Sequence, residues 1–122
     1  MRPSAPTPEE LRLLLQQSGR YGRSGRQVLE TCSFVLAADQ AWDPDTTKAF
    51  LSSEEIHPKV WDKLLGIARC RHIREVNPDW LPGNYTTLYA LVGMSDEEWQ
   101  LFLRQRVLVH QPSSRQILNW LR

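Results

Sequence analysis

The sequence predicts an all-α fold, a compact bundle of six or seven short helices. Three observations lead there. Ser, Thr, Asp or Asn stands ahead of successive apolar runs, with Glu, Gln or Pro where a helix start requires it. Apolar residues recur three and four positions apart, and no segment alternates polar and apolar over the length of a strand. The chain has 122 residues, 41% hydrophobic and 24% charged, which suits one folded domain with a real core. Residues 1–7 read as a flexible N-terminal segment and 8–122 as a single helical domain.

Thr7-Pro8-Glu9-Glu10 is a capping box with proline at the first helical position, where its missing N–H costs nothing. Leu11, Leu14 and Leu15 continue one face, and Gly19 stops the helix. Ser24-Gly25-Arg26-Gln27 repeats the box. The helix it opens runs to about Gln40 with apolar residues nearly all round its axis, so it should be the most buried. Asp39 lies on that apolar side and should meet an arginine or mark a frayed end.

Asp43-Pro44 caps a short helix to Leu51, Ser52–Glu55 adds a turn, and Pro58 opens a long helix expected to reach about Ile73. This order allows a helix-turn-helix-like unit. Residues 74–83, with two prolines and a glycine, read as an ordered loop. Asn84 then caps Tyr85–Val92, and Gly93 ends it. Ser95-Asp96-Glu97-Glu98 forms another capping box between Met94 and Trp99 at staple positions; Trp99, Phe102, Leu103 and Arg106 share its inward side. Val107–Val109 can fray or extend, and Ser113–Gln116 starts a last helix with Ile117, Leu118 and Leu121 on its apolar side. Trp42, Trp61, Trp80 and Trp99 fall at a constant interval of 19 residues. A duplication relating Trp42–Glu55 to Trp80–Glu98 would account for this, and so would independently capped helices.

Fifteen Lys and Arg against 14 Asp and Glu give a net charge of +1, which excludes a polybasic tail and leaves local patches. No run of about 18 apolar residues exists to span a membrane, and the N-terminus does not read as a signal peptide. Cys32 and Cys70 fit free buried thiols of a cytoplasmic protein, although one disulfide is open to them. His57, His72 and His110 show no metal-ligand spacing, and no structural zinc is expected. Nucleophile elbows, phosphate loops and dinucleotide fingerprints are absent. A Cys32–histidine nucleophile is disfavoured by the apolar neighbours Val28, Val35 and Leu36. The expectation is a non-enzymatic protein with no cofactor and no small-molecule substrate.

Two basic constellations remain. Arg20, Arg23 and Arg26, with Gly22 and Gly25, gather before and at a helix start, where cations oppose the dipole unless an anion joins them. They fit a phosphate cradle, or a solvated turn whose arginines reach Asp39 or Glu10. On the helix opened by Pro58, Lys59, Lys63 and Arg74 project opposite the apolar arc, with small Gly66 and Cys70 between them. Such a strip suits close approach to a phosphate backbone, or is a solvated face bordered by Asp62. Trp80, Tyr85, Tyr89 and Trp99 serve the core or an exposed aromatic patch.

Leu64-Leu-Gly-Ile-Ala68, Leu81-Pro82, Thr87-Leu88-Tyr89-Ala-Leu91, Met94–Glu98 and Ser114-Arg115-Gln116-Ile117 together resemble uncharacterised helical proteins encoded by phages and plasmids. The resemblance covers roughly residues 56–120. It implies a helix-turn-helix-like unit near DNA. The expected function is DNA binding through Lys59, Lys63 and Arg74, assisted by Arg20, Arg23 and Arg26. The alternative is an adaptor or inhibitor bound to a host protein complex.

Overall fold

Helix starts are made locally, by side chains that accept the free amides of the first turn. In the computed structural model, which describes residues 5–104, Thr7 and Glu10 exchange both bonds of the expected capping box at 3.1 Å each. They open α1 (Pro8–Gln17). Ser24 caps α2 (Gly25–Ala41), but Gln27 reaches one residue further back than expected and accepts from the Arg23 N–H at 2.8 Å. Asp43 caps α3 (Pro44–Ser53), accepting from Thr46 N–H at 2.8 Å. The imidazole of His57 caps α4 (Pro58–Arg69), Nδ1 accepting from Lys59 N–H at 3.1 Å.

The long helix expected to run to Ile73 is two helices. α4 ends at Arg69, Cys70 adopts extended backbone (φ −77°, ψ 113°), and α5 (Arg71–Arg74) follows as a single turn. Neither glycine nor proline marks the break; tertiary contacts of His72, to the Leu91 carbonyl oxygen at 3.0 Å and to the Trp99 ring at 4.6 Å between centres, favour it over local helix preference. The loop at 74–83 is ordered as expected and holds a 3₁₀ turn, Pro78–Trp80. Asn84 caps α6 (Tyr85–Val92), and the Ser95/Glu98 box opens α7 (Asp96–Arg104) with both bonds at 3.1 Å. The described residues are thus all-helical, seven helices and no strand. Arg106, Val107–Val109 and the expected helix from Ser113 lie outside them.

α2 is the spine. Its buried residues Val28, Cys32, Val35 and Ala38 face α4, while α1 packs on its flank and the Pro78–Trp80 turn on its N-terminal end. α4 buries Trp61, Leu64, Leu65, Ile67 and Ala68 between α2 and α6. α6 contributes Leu88 and Leu91, and α7 contributes Trp99 and Phe102. Met94 and Trp99 are both buried at their staple positions. The segment expected to be flexible is anchored where it meets α1: Pro6 is buried, and its carbonyl accepts from Trp42 Nε1 at 2.8 Å. Among the described residues no helix is long and apolar enough to cross a membrane.

Candidate interaction surfaces

The Arg20–Arg26 turn is bent by left-handed backbone at Gly19 (φ 68°), Arg20 (φ 80°) and Gly22 (φ 108°). A non-glycine residue in that region needs compensation, and Arg20 has it. Its guanidinium donates to the Glu54 and Glu55 carbonyls at 3.1 and 2.9 Å, and its Nε donates to the Tyr21 hydroxyl at 3.0 Å. A cation on the closing carbonyls of α3 also complements that helix dipole. Arg26 pairs with Asp79 at 3.2 Å, both side chains more than half exposed. Arg23 is exposed beside them. The shallow depression at this end of α2, about 230 Å³, therefore contains the Asp79 carboxylate as well as Arg23 and Arg26. None of the three arginines bonds to Asp39 or Glu10. Asp39 instead accepts from Trp61 Nε1 at 3.0 Å and lies 3.8 Å from Arg69.

The break at Cys70 also changes the second basic constellation. Arg74 belongs to α5, so it does not continue the line of Lys59 and Lys63 along a straight helix. Lys59 is exposed, whereas Lys63 is half-buried with Nζ 5.6 Å from the centre of the Tyr89 ring. Gly66 does admit a close neighbour, but that neighbour is Tyr89 of α6: an added Cβ would lie 3.2 Å from its Cε2. Asp62 is exposed on the same helix. Arg74 lies on another side, lining a groove with α2. The six cations are thus spread, with Arg20 on the end of α3, Arg23 and Arg26 at the α2 N-terminus, Lys59 and Lys63 on α4, and Arg74 in the α2–α5 groove.

Two grooves flank α2. One, about 410 Å³, lies between α2 and the α4–α5 junction, floored by Leu36, Ala37, Ala41 and Ala68 with Arg74 as its one charged side chain. The other, about 420 Å³, lies between α1 and α2 and is lined by Leu13, Leu14, Phe34 and Pro6, with Glu10 and Gln17 at its margin. Both include Ala5, so they adjoin. Leu13 is 44% exposed here. Only a partial signal of this surface was legible beforehand: α2 is apolar nearly all round, more than one buried face needs.

Of the four aromatics singled out, Trp99 is buried and Tyr85 packs edge-on against Tyr21 at 4.9 Å, while Trp80 and Tyr89 are each 40% exposed. Both cysteines are free and buried. Burial alone pushes the Cys32 thiol up to about 12, which keeps it protonated and unreactive. The cysteine that meets a histidine is Cys70, with Sγ 3.2 Å from His72 Nε2. The only sequence signal for this pair was the two-residue spacing, which a helix would have splayed apart. Among the described residues no three His, Cys, Asp or Glu side chains converge as metal ligands. The chain matches no protein-family model, and no curated protein or solved structure is significantly similar to it.

Proposed function

We propose that this chain is a small, non-enzymatic, protein-binding adaptor that takes an amphipathic helix from a larger assembly along α2. The observation that carries this reading is the pair of adjoining apolar grooves on either side of that helix. A partner helix laid across them would bury its apolar side chains against Leu13, Phe34, Leu36 and Ala37, the usual source of affinity in helix-in-groove recognition. Charge narrows the partner. Arg74 is the one charged group of the α2–α5 groove and Glu10 that of the α1–α2 groove, so an incoming helix with a carboxylate over the first and a cation over the second complements them. Residues 105–122 contain Arg106, Arg115 and Arg122 and no Asp or Glu, so the chain's own C-terminal stretch lacks that complement. The reading suits a phage- or plasmid-borne protein, the origin the sequence resemblance implies, acting on a host complex in the cytoplasm.

DNA binding is the second reading, supported by Lys59, Arg23 and Arg74, which are exposed and have no ion pair among the described residues. Three phosphate contacts would give a logarithmic salt slope of about −3. One experiment separates the two. The native chain, Ala37→Glu, and the triple change of Lys59, Lys63 and Arg74 to Glu are compared in capture from nuclease-treated cytoplasmic extract and in low-salt duplex retention. The adaptor reading expects a captured protein that survives nuclease and is lost with Ala37→Glu. Capture that ends with nuclease, together with duplex retention lost only in the triple variant, would replace it with DNA binding.

A further inference from the structure

Hydroxyl, amide and charged side chains are rare inside this molecule: among the described residues only Ser18, Thr31 and Thr87 are buried. Two of those three line one small cavity. It holds about 180 Å³ between the C-terminal end of α1 and the N-terminal half of α2, walled by Leu14, Gln17, Ser18, Gln27, Glu30 and Thr31. Thr31 is 0% exposed, and its Oγ1 has no hydrogen-bond partner among the described residues. Ser18 Oγ donates its proton to the Leu14 carbonyl at 2.7 Å, which leaves its lone pairs to accept. Gln27 already offers its carbonyl to the Arg23 N–H at 2.8 Å, so the hydroxyls and the carboxylate set the chemistry. Glu30 is the one charged wall residue; it is exposed and forms no ion pair among the described residues. The cavity is rich in acceptors and is lined by no cation.

We infer that this cavity binds a primary ammonium group on an aliphatic stem, the lysine side chain of the helix that docks along α2. The inference rests on the adaptor reading and deepens it. Continuity argues for that source: the cavity shares Leu14 and Gln17 with the α1–α2 groove, so it opens off the track of a docked helix. A lysine stem over Leu14 keeps its methylenes on apolar surface while the head group turns inward. An ammonium is compact and carries three donors, which the Glu30 carboxylate, Thr31 Oγ1 and Ser18 Oγ can accept. The carboxylate supplies attraction. The hydroxyl supplies selectivity, because a ligand that leaves a buried oxygen unpaired is rejected. Thr31 is on this account kept for recognition at a cost in stability.

The test follows the full chain by NMR as n-butylammonium chloride is added, with n-butanol and sodium chloride as controls. Saturable shifts of the Gln17, Gln27, Glu30 and Thr31 amides are expected with the ammonium and with neither control. Thr31→Val keeps the shape of the wall and should weaken ammonium binding by about tenfold, as loss of one hydrogen bond to a charged group does. Glu30→Gln should weaken it at least as much. No saturable shift, equal shifts with n-butanol, or native affinity in Thr31→Val would overturn the inference. The probe needs no partner, so these failures leave the adaptor reading standing. Capture of the nuclease-resistant protein should fall about tenfold in Thr31→Val; native-level capture would overturn the assignment to lysine. A native chain that binds n-butylammonium but captures nothing would defeat the adaptor reading and the lysine together, with a free amine as the ligand.

Discussion

The two ends of α2 are closed by different physics. At its C-terminal end, large rings do the work: Trp42 stacks on Trp61 at 6.3 Å, Phe50 packs against both, and each indole N–H has an acceptor, in Pro6 and Asp39. At its N-terminal end the closest approaches are chiefly of backbone. A Cβ on Gly25 would lie 2.5 Å from the Leu81 oxygen and 2.6 Å from that of Pro78, and one on Gly83 would lie 2.4 Å from the Arg23 oxygen. Here main chain rests on main chain. One end should therefore suffer from truncation, and the other from enlargement.

The largest expected effect tests the aromatic end. Trp61→Ala removes the ring at the centre of that nest and the partner of Asp39, and should cost about 3–5 kcal/mol in chemical denaturation. Gly25→Ala tests the other end. Alanine is the better helix former, so stabilisation by it would refute the close approach; the carbonyls of Pro78 and Leu81 lead us to expect a loss of about 1–3 kcal/mol.

These contacts were unequally legible in the sequence. Every cap made by Thr7, Ser24, Asp43, Asn84 and Ser95 could be read, because donor and acceptor lie within three residues. The Asp39–Arg69 approach was half legible, since a carboxylate on an apolar face demands a partner without naming it. Arg26–Asp79, the Arg20 bridge to α3 and the Cys70–His72–Leu91 contact were not, because each joins positions whose proximity only the packed helices create. The break at Cys70 belongs with them, and it is why the basic strip drawn on a straight helix does not form.

Between the two ends, α2 carries a mismatch of its own. Thr31 Oγ1 is buried with no hydrogen-bond partner among the described residues. Thr31→Val keeps the shape and removes the orphan, and should stabilise the fold by about 1 kcal/mol; a loss on denaturation would mean that the hydroxyl is satisfied. The smallest effect concerns Asp43, just beyond the aromatic end. Its carboxyl is held below the ordinary range because the ionised oxygens accept from the Thr46 N–H and hydroxyl. A depressed folded-state value means that this contribution is complete above the unfolded value, about pH 4, and is lost as the pH falls through the folded one. Asp43→Asn should flatten the acid limb of the stability profile without altering its neutral plateau shape, as thermal melts across acidic pH would register.

The separation between Arg26 and Asp79 in the chain has a consequence for biogenesis. The aromatic end of the spine can close once Trp61 has emerged from the ribosome. The glycine end must wait for Pro78–Gly83, so during synthesis the amino end of α2 stays open while the next three helices are made. A chaperone or a nascent partner has that interval in which to reach it.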